Sequence, residues 1–176
     1  MDSRSAVVGA SLDEVKEADV DALAKAFGER IYFVAQVQRW GPFDNEVFVA
    51  RQGEDILGTV TLGPIEEKEL RESEPFSKHP SRLLSHLEVP PPQRGRGIGT
   101  WIMAEMESRL AARDFRYVVL GVDESNEGAQ RLYRKLGYQA WAGSPLRTVK
   151  RSFHESCTWG DEPEYCLVYY KDLSPA

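Results

Sequence analysis

The stretch VPPPQRGRGIGTWIM, residues 89–103, constrains this chain more than any other. Proline cannot donate to a sheet ladder, so a strand running through 83–89 must end at Pro90-Pro91-Pro92. Beyond them Gly95, Gly97 and Gly99 alternate with other residues, and Arg94 and Arg96 flank the first glycine. Ile98, Ile102, Met106 and Leu110 then recur at helical spacing, with Trp101 and Met103 adjoining, which predicts an amphipathic helix. A strand end, a glycine-rich turn and a helix N-terminus in that order suit an anion. Glycines let the backbone turn without Cβ clashes. Backbone amides can then converge, and the helix dipole favours negative charge. Thr100 adds a hydroxyl.

The spacing argues against two nucleotide readings. A P-loop needs GxxxxGK[ST], and both the spacing and the lysine are missing. A dinucleotide fingerprint needs GxGxxG, whereas this loop reads GxGxG. Asp123 stands after the next strand, where that fingerprint wants an acidic residue, but behind a longer helix. The loop carries no obvious magnesium ligand, which weighs against triphosphate hydrolysis. A plain structural turn explains one or two glycines, less easily three of them with two arginines.

Around this centre the chain alternates strands and helices. Residues 46–51 and 56–62 are rich in Val, Ile, Phe and Thr, and Gly53 lies between them, which predicts a β-hairpin. Residues 117–122 are nearly all apolar, as in a strand buried on both faces. Asp114 suits the left-handed position before it. Asn126 can cap a helix with Ala129, Leu132, Tyr133 and Leu136 on one face, and Gly137 closes it. Short strands are expected at 138–142 and 165–170. Toward the N-terminus, 6–10 reads as a weak strand, and Ser11 with Glu14 as a capping box opening a helix that runs through 19–27. Residues 31–40 give a second helical pattern. Residues 63–82, with one helical turn, and 143–164 read as long polar loops, of the kind that often serve binding in a compact domain. The order predicts a single domain over 1–176 of α+β class, a mixed sheet flanked by helices.

Charge and composition narrow the partners. Twenty-eight acidic residues against 22 basic ones give a net charge of −6, so no basic surplus exists for nucleic acid. Cys157 and Cys166 form no CxxC, and His154 beside Cys157 leaves a structural zinc site short of ligands, so no metal is expected. The apolar run near the N-terminus is too short for a signal peptide, and no later run could span a bilayer. A cytoplasmic protein with no membrane or nucleic-acid partner is the expectation.

The segment LEVPPPQRGRGIGTWIM resembles the acetyl-coenzyme A binding motif of the GNAT superfamily of N-acetyltransferases: a strand, then (Q/R)xxGx(G/A), then a helix, with Arg94, Gly97 and Gly99 in the motif places. Asn126, Ala129, Leu132, Tyr133, Lys135, Gly137 and Tyr138 match the family's NxxAxxLYxKxGF/Y pattern downstream. The resemblance is close over 83–142; before that it holds in element order only. It implies a GNAT-like fold, a mostly antiparallel twisted sheet of about six to seven strands flanked by about four helices. It implies acetyl-CoA as co-substrate, its pyrophosphate on the backbone of Arg94, Gly95, Arg96, Gly97, Ile98, Gly99 and Thr100. The pantetheine arm would run beside Leu87 and Val89, near Asn126 and Ala129. Tyr133 would protonate the leaving thiolate, although its periodicity alone makes it a core residue.

Other roles rest on placement. Glu88 and His86 alternate with Leu87 and Val89, which predicts one shared strand face, and makes Glu88 the candidate base with His86 as alternative. Both also fit solvated strand residues, and Asp123 and Glu124 are weaker candidates. Trp141, Phe153, His154 and Trp159 could line the acceptor site or plug the core. The expected reaction is direct transfer from acetyl-CoA to a primary amine in a ternary complex. The acidic run 66–74 favours a small cationic amine or a peptide amine. The alternative is a coenzyme A binding sensor or interaction module without turnover. The final strands offer an edge for a homodimer.

Overall fold

The computed structural model describes residues 7–38, 44–153 and 159–175. The chain enters the sheet through β1 (Ser11–Glu14), which pairs antiparallel with β2 (Glu46–Gln52). Ser11 and Glu14 are therefore strand residues and not a capping box. Leu12 explains the outcome: it is 2% exposed in the main core. Burying such a side chain stabilises by about 1.5–3 kcal/mol, against roughly 1 kcal/mol for a cap. Residues 7–10 form a turn where a weak strand was expected. Helix α1 (Val20–Phe27) starts beyond a 3-10 turn in which the Lys16 amide donates to Asp19 at 2.8 Å. Gly28, at φ 78°, closes α1. Helix α2 (Arg30–Val37) is shorter than the 31–40 pattern; residues 39–43 lie outside the described ones.

The expected hairpin is present, β2 turning through Gly53 into β3 (Asp55–Gly63). Residues 63–82 carry a helical turn, α3 (Lys68–Glu72), and the next strand, β4 (Ser81–Glu88), begins inside them. Helix α4 (Ile98–Ala112), β5 (Tyr117–Asp123), α5 (Glu127–Lys135) and β6 (Gln139–Ala140) follow as the sequence predicts. Asp114 and Gly137 take the left-handed conformation, at φ 60° and 86°. The segment 143–164 departs from expectation. Most of it is strand: β7 (Leu146–Phe153) pairs with the first half of β8 (Trp159–Asp172). A polar sequence is compatible with β7 as an edge strand, held by its ladder with β8.

The sheet order is β1-β2-β3-β4-β5-β8-β6, with β7 also on β8. Every pairing is antiparallel except β4–β5, which is parallel because α4 crosses over between them. The described residues thus hold eight strands and five α-helices, slightly more than the sequence implied. One face of the sheet carries α4 and α5: Ile98, Ile102, Met106 and Leu110 pack with Val60, Leu84 and Leu120. The other face is covered in two patches. Val47 and Val49 meet Val20, Leu23 and Phe33 of the first two helices. Tyr117, Val119 and Val168 meet Ile65, Leu70 and Phe76 from the α3 segment. Among the described residues no helix is long and apolar enough to cross a membrane.

Gly58 in β3 fixes the distance between the sheet and α4. A Cβ there would lie 2.8 Å from both the Glu88 carbonyl oxygen and Ile102 Cδ1. Overpacking of this kind costs about 1–3 kcal/mol. Gly58→Ala is therefore expected to lower the melting temperature by about 2–4 °C per kcal/mol in a domain of this size. An unshifted thermal melt would show that β3 and α4 yield freely.

Candidate active site

The site begins where two central strands part. β4 and β5 pair from Ser81↔Tyr117 only to Leu84↔Leu120. Past that point β5 stays on β8 as far as Asp123↔Cys166, while β4 follows β3. A bulge bends β4 at the divergence. Ser85 pairs with Thr61 and Glu88 with Thr59, so His86 and Leu87 together oppose Val60. His86 absorbs the extra residue at φ 49°. Bulges re-aim side chains, and here the faces are exchanged. Leu87 packs toward α4, and Glu88 shares the face of Thr59 and Thr61. Simple alternation, the basis for placing His86 with Glu88, does not hold through this bulge. Both nevertheless lie on the α2 side, because the His86 ring stacks on Tyr32 at 5.2 Å.

After β4, the prolines build more than a stop. Pro91–Gln93 form a 3-10 turn, with the Gln93 amide donating to the Pro90 carbonyl at 2.8 Å. Arg94 Nε donates to the Val89 carbonyl at 2.9 Å and ties the loop to the strand end. Arg96 donates to the Gln93 side chain. Both arginines therefore brace the loop. Gly95 and Gly97 are left-handed, at φ 74° and 77°. Gly97 is the N-cap of α4, and no side chain caps that helix. Ile98, 1% exposed, pins the helix start into the core. Gly99 faces Val89, where a Cβ would rest 3.9 Å from Cγ2. Thr100 is exposed. The first-turn amides of α4 thus start a 15-residue dipole with no acidic residue among them, an arrangement that favours an anion.

On the other side of the gap, α5 packs against the same core. Asn126 caps it, accepting from the Ala129 amide at 3.0 Å. Asp123 shapes the turn before it, accepting from the Ser125 amide at 2.7 Å. Tyr133 is 9% exposed, with its ring 5.7 Å from that of Tyr138 and 6.4 Å from that of Tyr169. Core packing and a functional hydroxyl are both compatible with this place. Neighbouring hydroxyls are engaged: Tyr138 donates to Glu107 at 3.0 Å, and Tyr169 accepts from Arg134 at 2.8 Å. The Tyr133 hydroxyl has no hydrogen bond to another described residue. Burial holds its phenol above the usual range, so it stays protonated.

The face opposite α4 brings a second set of polar groups near the parting of the strands. Tyr32 of α2 shares a 2.9 Å hydrogen bond with Thr61, and burial pushes its pKa up to about 12. Partial burial also raises the Glu88 carboxyl above its ordinary value; the nearby Glu29 charge adds to this and Arg94 opposes it. Across the gap, Cys166 lies beside Thr148, at 3.5 Å, with its thiol raised chiefly by burial. Trp141 packs against the core patch that contains Phe76 and Val168. Phe153 and Trp159 pair as backbone neighbours in the β7–β8 hairpin, and His154 and Cys157 lie outside the described residues. The α3 segment turns Ile65, Leu70 and Phe76 inward. Its acidic signal is diluted locally: Glu72 and Glu74 pair with Lys68 and Lys78. Tyr32 and Glu29 stand near His86 and Glu88, a placement that the sequence did not disclose, since the segment from Ile31 reads only as an apolar helix.

Comparison with known proteins agrees with this fold. Residues 12–138 match the model of the acetyltransferase (GNAT) family. An L-2,4-diaminobutyric acid acetyltransferase of Shouchella clausii is 31% identical over 94 residues, 53% of this chain and 47% of that protein. The chain thus spans about half the length of this relative. A phosphinothricin N-acetyltransferase of Streptomyces coelicolor is 27% identical over 125 residues, 70% of this chain and 67% of that one. Among solved structures, a GNAT family acetyltransferase from Elizabethkingia anophelis with acetyl-CoA bound superposes with a TM-score of 0.59 at 14% identity. It covers 93% of this chain and 98% of its own, a likeness of fold alone. With the family model matched over most of its length, the chain belongs to the GNAT acetyltransferase family.

Proposed function

We propose that the chain transfers an acetyl group from acetyl-CoA directly to a primary amine. The carrying observation is the parting of β4 from β5 beside the uncapped N-terminus of α4. The residues there fit acetyl-CoA: the 94–100 backbone suits a pyrophosphate, and the strand edge at Leu87 and Val89 suits an amide-rich arm. Acetyl-CoA supplies the activated acyl group. The free β4 edge orients the thioester and offers an amide to its carbonyl oxygen as negative charge develops. Glu88 accepts the amine proton, through water where the distance requires it. The amine nitrogen bonds to the carbonyl carbon, the carbon–sulfur bond breaks, and Tyr133 gives its proton to the departing sulfur. Asn126 and Ala129 hold the start of α5 against the arm. The acceptor enters on the face opposite α4, beside Glu88 and Glu29. A cationic amine suits Glu29 and Glu88, and the substrates for which the two relatives are named are the first to try. The test is coenzyme A release across an amine panel. Binding of acetyl-CoA without release on any amine would overturn the reading.

The raised Glu88 carboxyl gives a pH prediction. A base works only when ionised, so activity is present above its pKa and lost as pH falls through it. With that pKa raised, the acid limb of kcat/KM should lie above the ordinary carboxylate value of about 4.3. Glu88→Gln should lower kcat/KM by about 10²-fold or more and remove that limb. An identical profile in the variant would exclude Glu88 as the base.

A further inference from the structure

Gly121 stands inside β5, a central strand, in a place where the fold has no use for a glycine. Its φ is not positive, so the backbone accepts any L-residue. Space is no obstacle either: a Cβ would make ordinary contacts, 3.4 Å to Cys166 Cβ and 3.6 Å to its Sγ. Gly58, whose added Cβ would strike a backbone oxygen at 2.8 Å, shows what a structurally required glycine looks like in this sheet. A glycine within a strand also weakens it, having no side chain to pack, and marks places where something approaches the backbone closely. The residues around Gly121 are buried, yet Gly121 itself is exposed. It lies on the face opposite α4, next to Val119, which the α3 segment covers. That cover stops before Gly121. It is also the first β5 residue beyond the last pair with β4, Leu84↔Leu120, at the apex of the divergence. Helix α2, which lies on this side of the sheet, comes up to β7.

We propose that Gly121 is the specificity-determining floor of the acceptor groove, leaving room for a substituent on the carbon that bears the reacting amine. The class it admits is amines on branched carbons, such as α-amino compounds. A side chain at 121 would collide with that substituent, whereas an unbranched methylene beside the nitrogen would pass. This rests on the acetyl-transfer reading above.

The test compares wild type with Gly121→Ala and Gly121→Val. The probes are ornithine and lysine, each with one amine on a branched and one on an unbranched carbon, and 1,4-diaminobutane, with both on unbranched carbons. NMR of the products identifies which nitrogen is acetylated. Thermal melting and acetyl-CoA affinity, both expected to stay near wild type for Gly121→Ala, serve as controls. Wild type should acetylate the α-amine. Gly121→Ala should lower kcat/KM for it at least tenfold relative to the terminal amine, and Gly121→Val further. Equal losses on both amines, a loss of acetyl-CoA affinity in Gly121→Ala, or wild-type use of unbranched amines alone would each overturn the assignment while leaving acetyl transfer standing. No turnover of any probe or panel amine, with acetyl-CoA bound, would overturn the transferase reading and this one with it.

Discussion

Gly97→Val is expected to abolish detectable acetyl-CoA binding, a loss of at least about 100-fold in affinity. Two costs combine. Gly97 is left-handed, at φ 77° and ψ 7°, and a β-branched residue there pays roughly 1–2 kcal/mol or more in steric strain. The valine methyl groups would also stand over the amides that start α4, where a pyrophosphate must come within hydrogen-bond distance of the backbone. Either effect alone weakens a backbone cradle; together they should remove it. Isothermal titration with acetyl-CoA measures the outcome, and circular dichroism checks that α4 survives. Gly97→Ala, smaller but equally left-handed, should fall between. Wild-type affinity in the valine variant would mean that the phosphates are held elsewhere.

Tyr133→Phe is expected to lower kcat by about 10²-fold, the range of a positioned proton donor, with the dissociation constant of acetyl-CoA unchanged. The substitution keeps the ring that packs with Tyr138 and Tyr169. It removes a hydroxyl with no bond to another described residue, so the melting temperature should move little. That separation distinguishes chemistry from packing. A merely structural tyrosine would show its loss in stability and leave kcat alone. Because burial keeps the phenol protonated, the residue should not add a limb to the pH profile below its raised pKa. Unchanged turnover in the variant would remove Tyr133 from the proton inventory.

Two features of the central region were legible in the sequence for one reason. The 89–103 loop could be read because glycine, proline and helical periodicity each act locally: φ freedom, a missing donor and a 3.6-residue repeat need no distant partner. The Asn126 cap and the Gly137 closure were readable on the same grounds. The misreadings share another cause. Ser11 and Glu14 have cap chemistry, but Leu12 finds β2 some 38 residues downstream, Leu12↔Ala50. β7 has too few apolar residues to announce a strand, yet β8 supplies its hydrogen bonds. In both, a long-range pairing outweighed a local preference.

The sequence by itself determined the anion loop, the helix that follows it and the order of elements that carry Tyr133, because these depend on backbone geometry within a few residues. Only the tertiary structure decided the face opposite α4. The bulge at His86 turns Glu88 toward Tyr32 and Glu29, and no periodicity announces a bulge. The exposure of Gly121 becomes visible only when β8 on one flank and the departing β4 on the other are in place. The glycine loop is written into one contiguous segment; the face around Glu88 and Gly121 is assembled from strands and helices far apart in the chain, and its shape exists only after they pack.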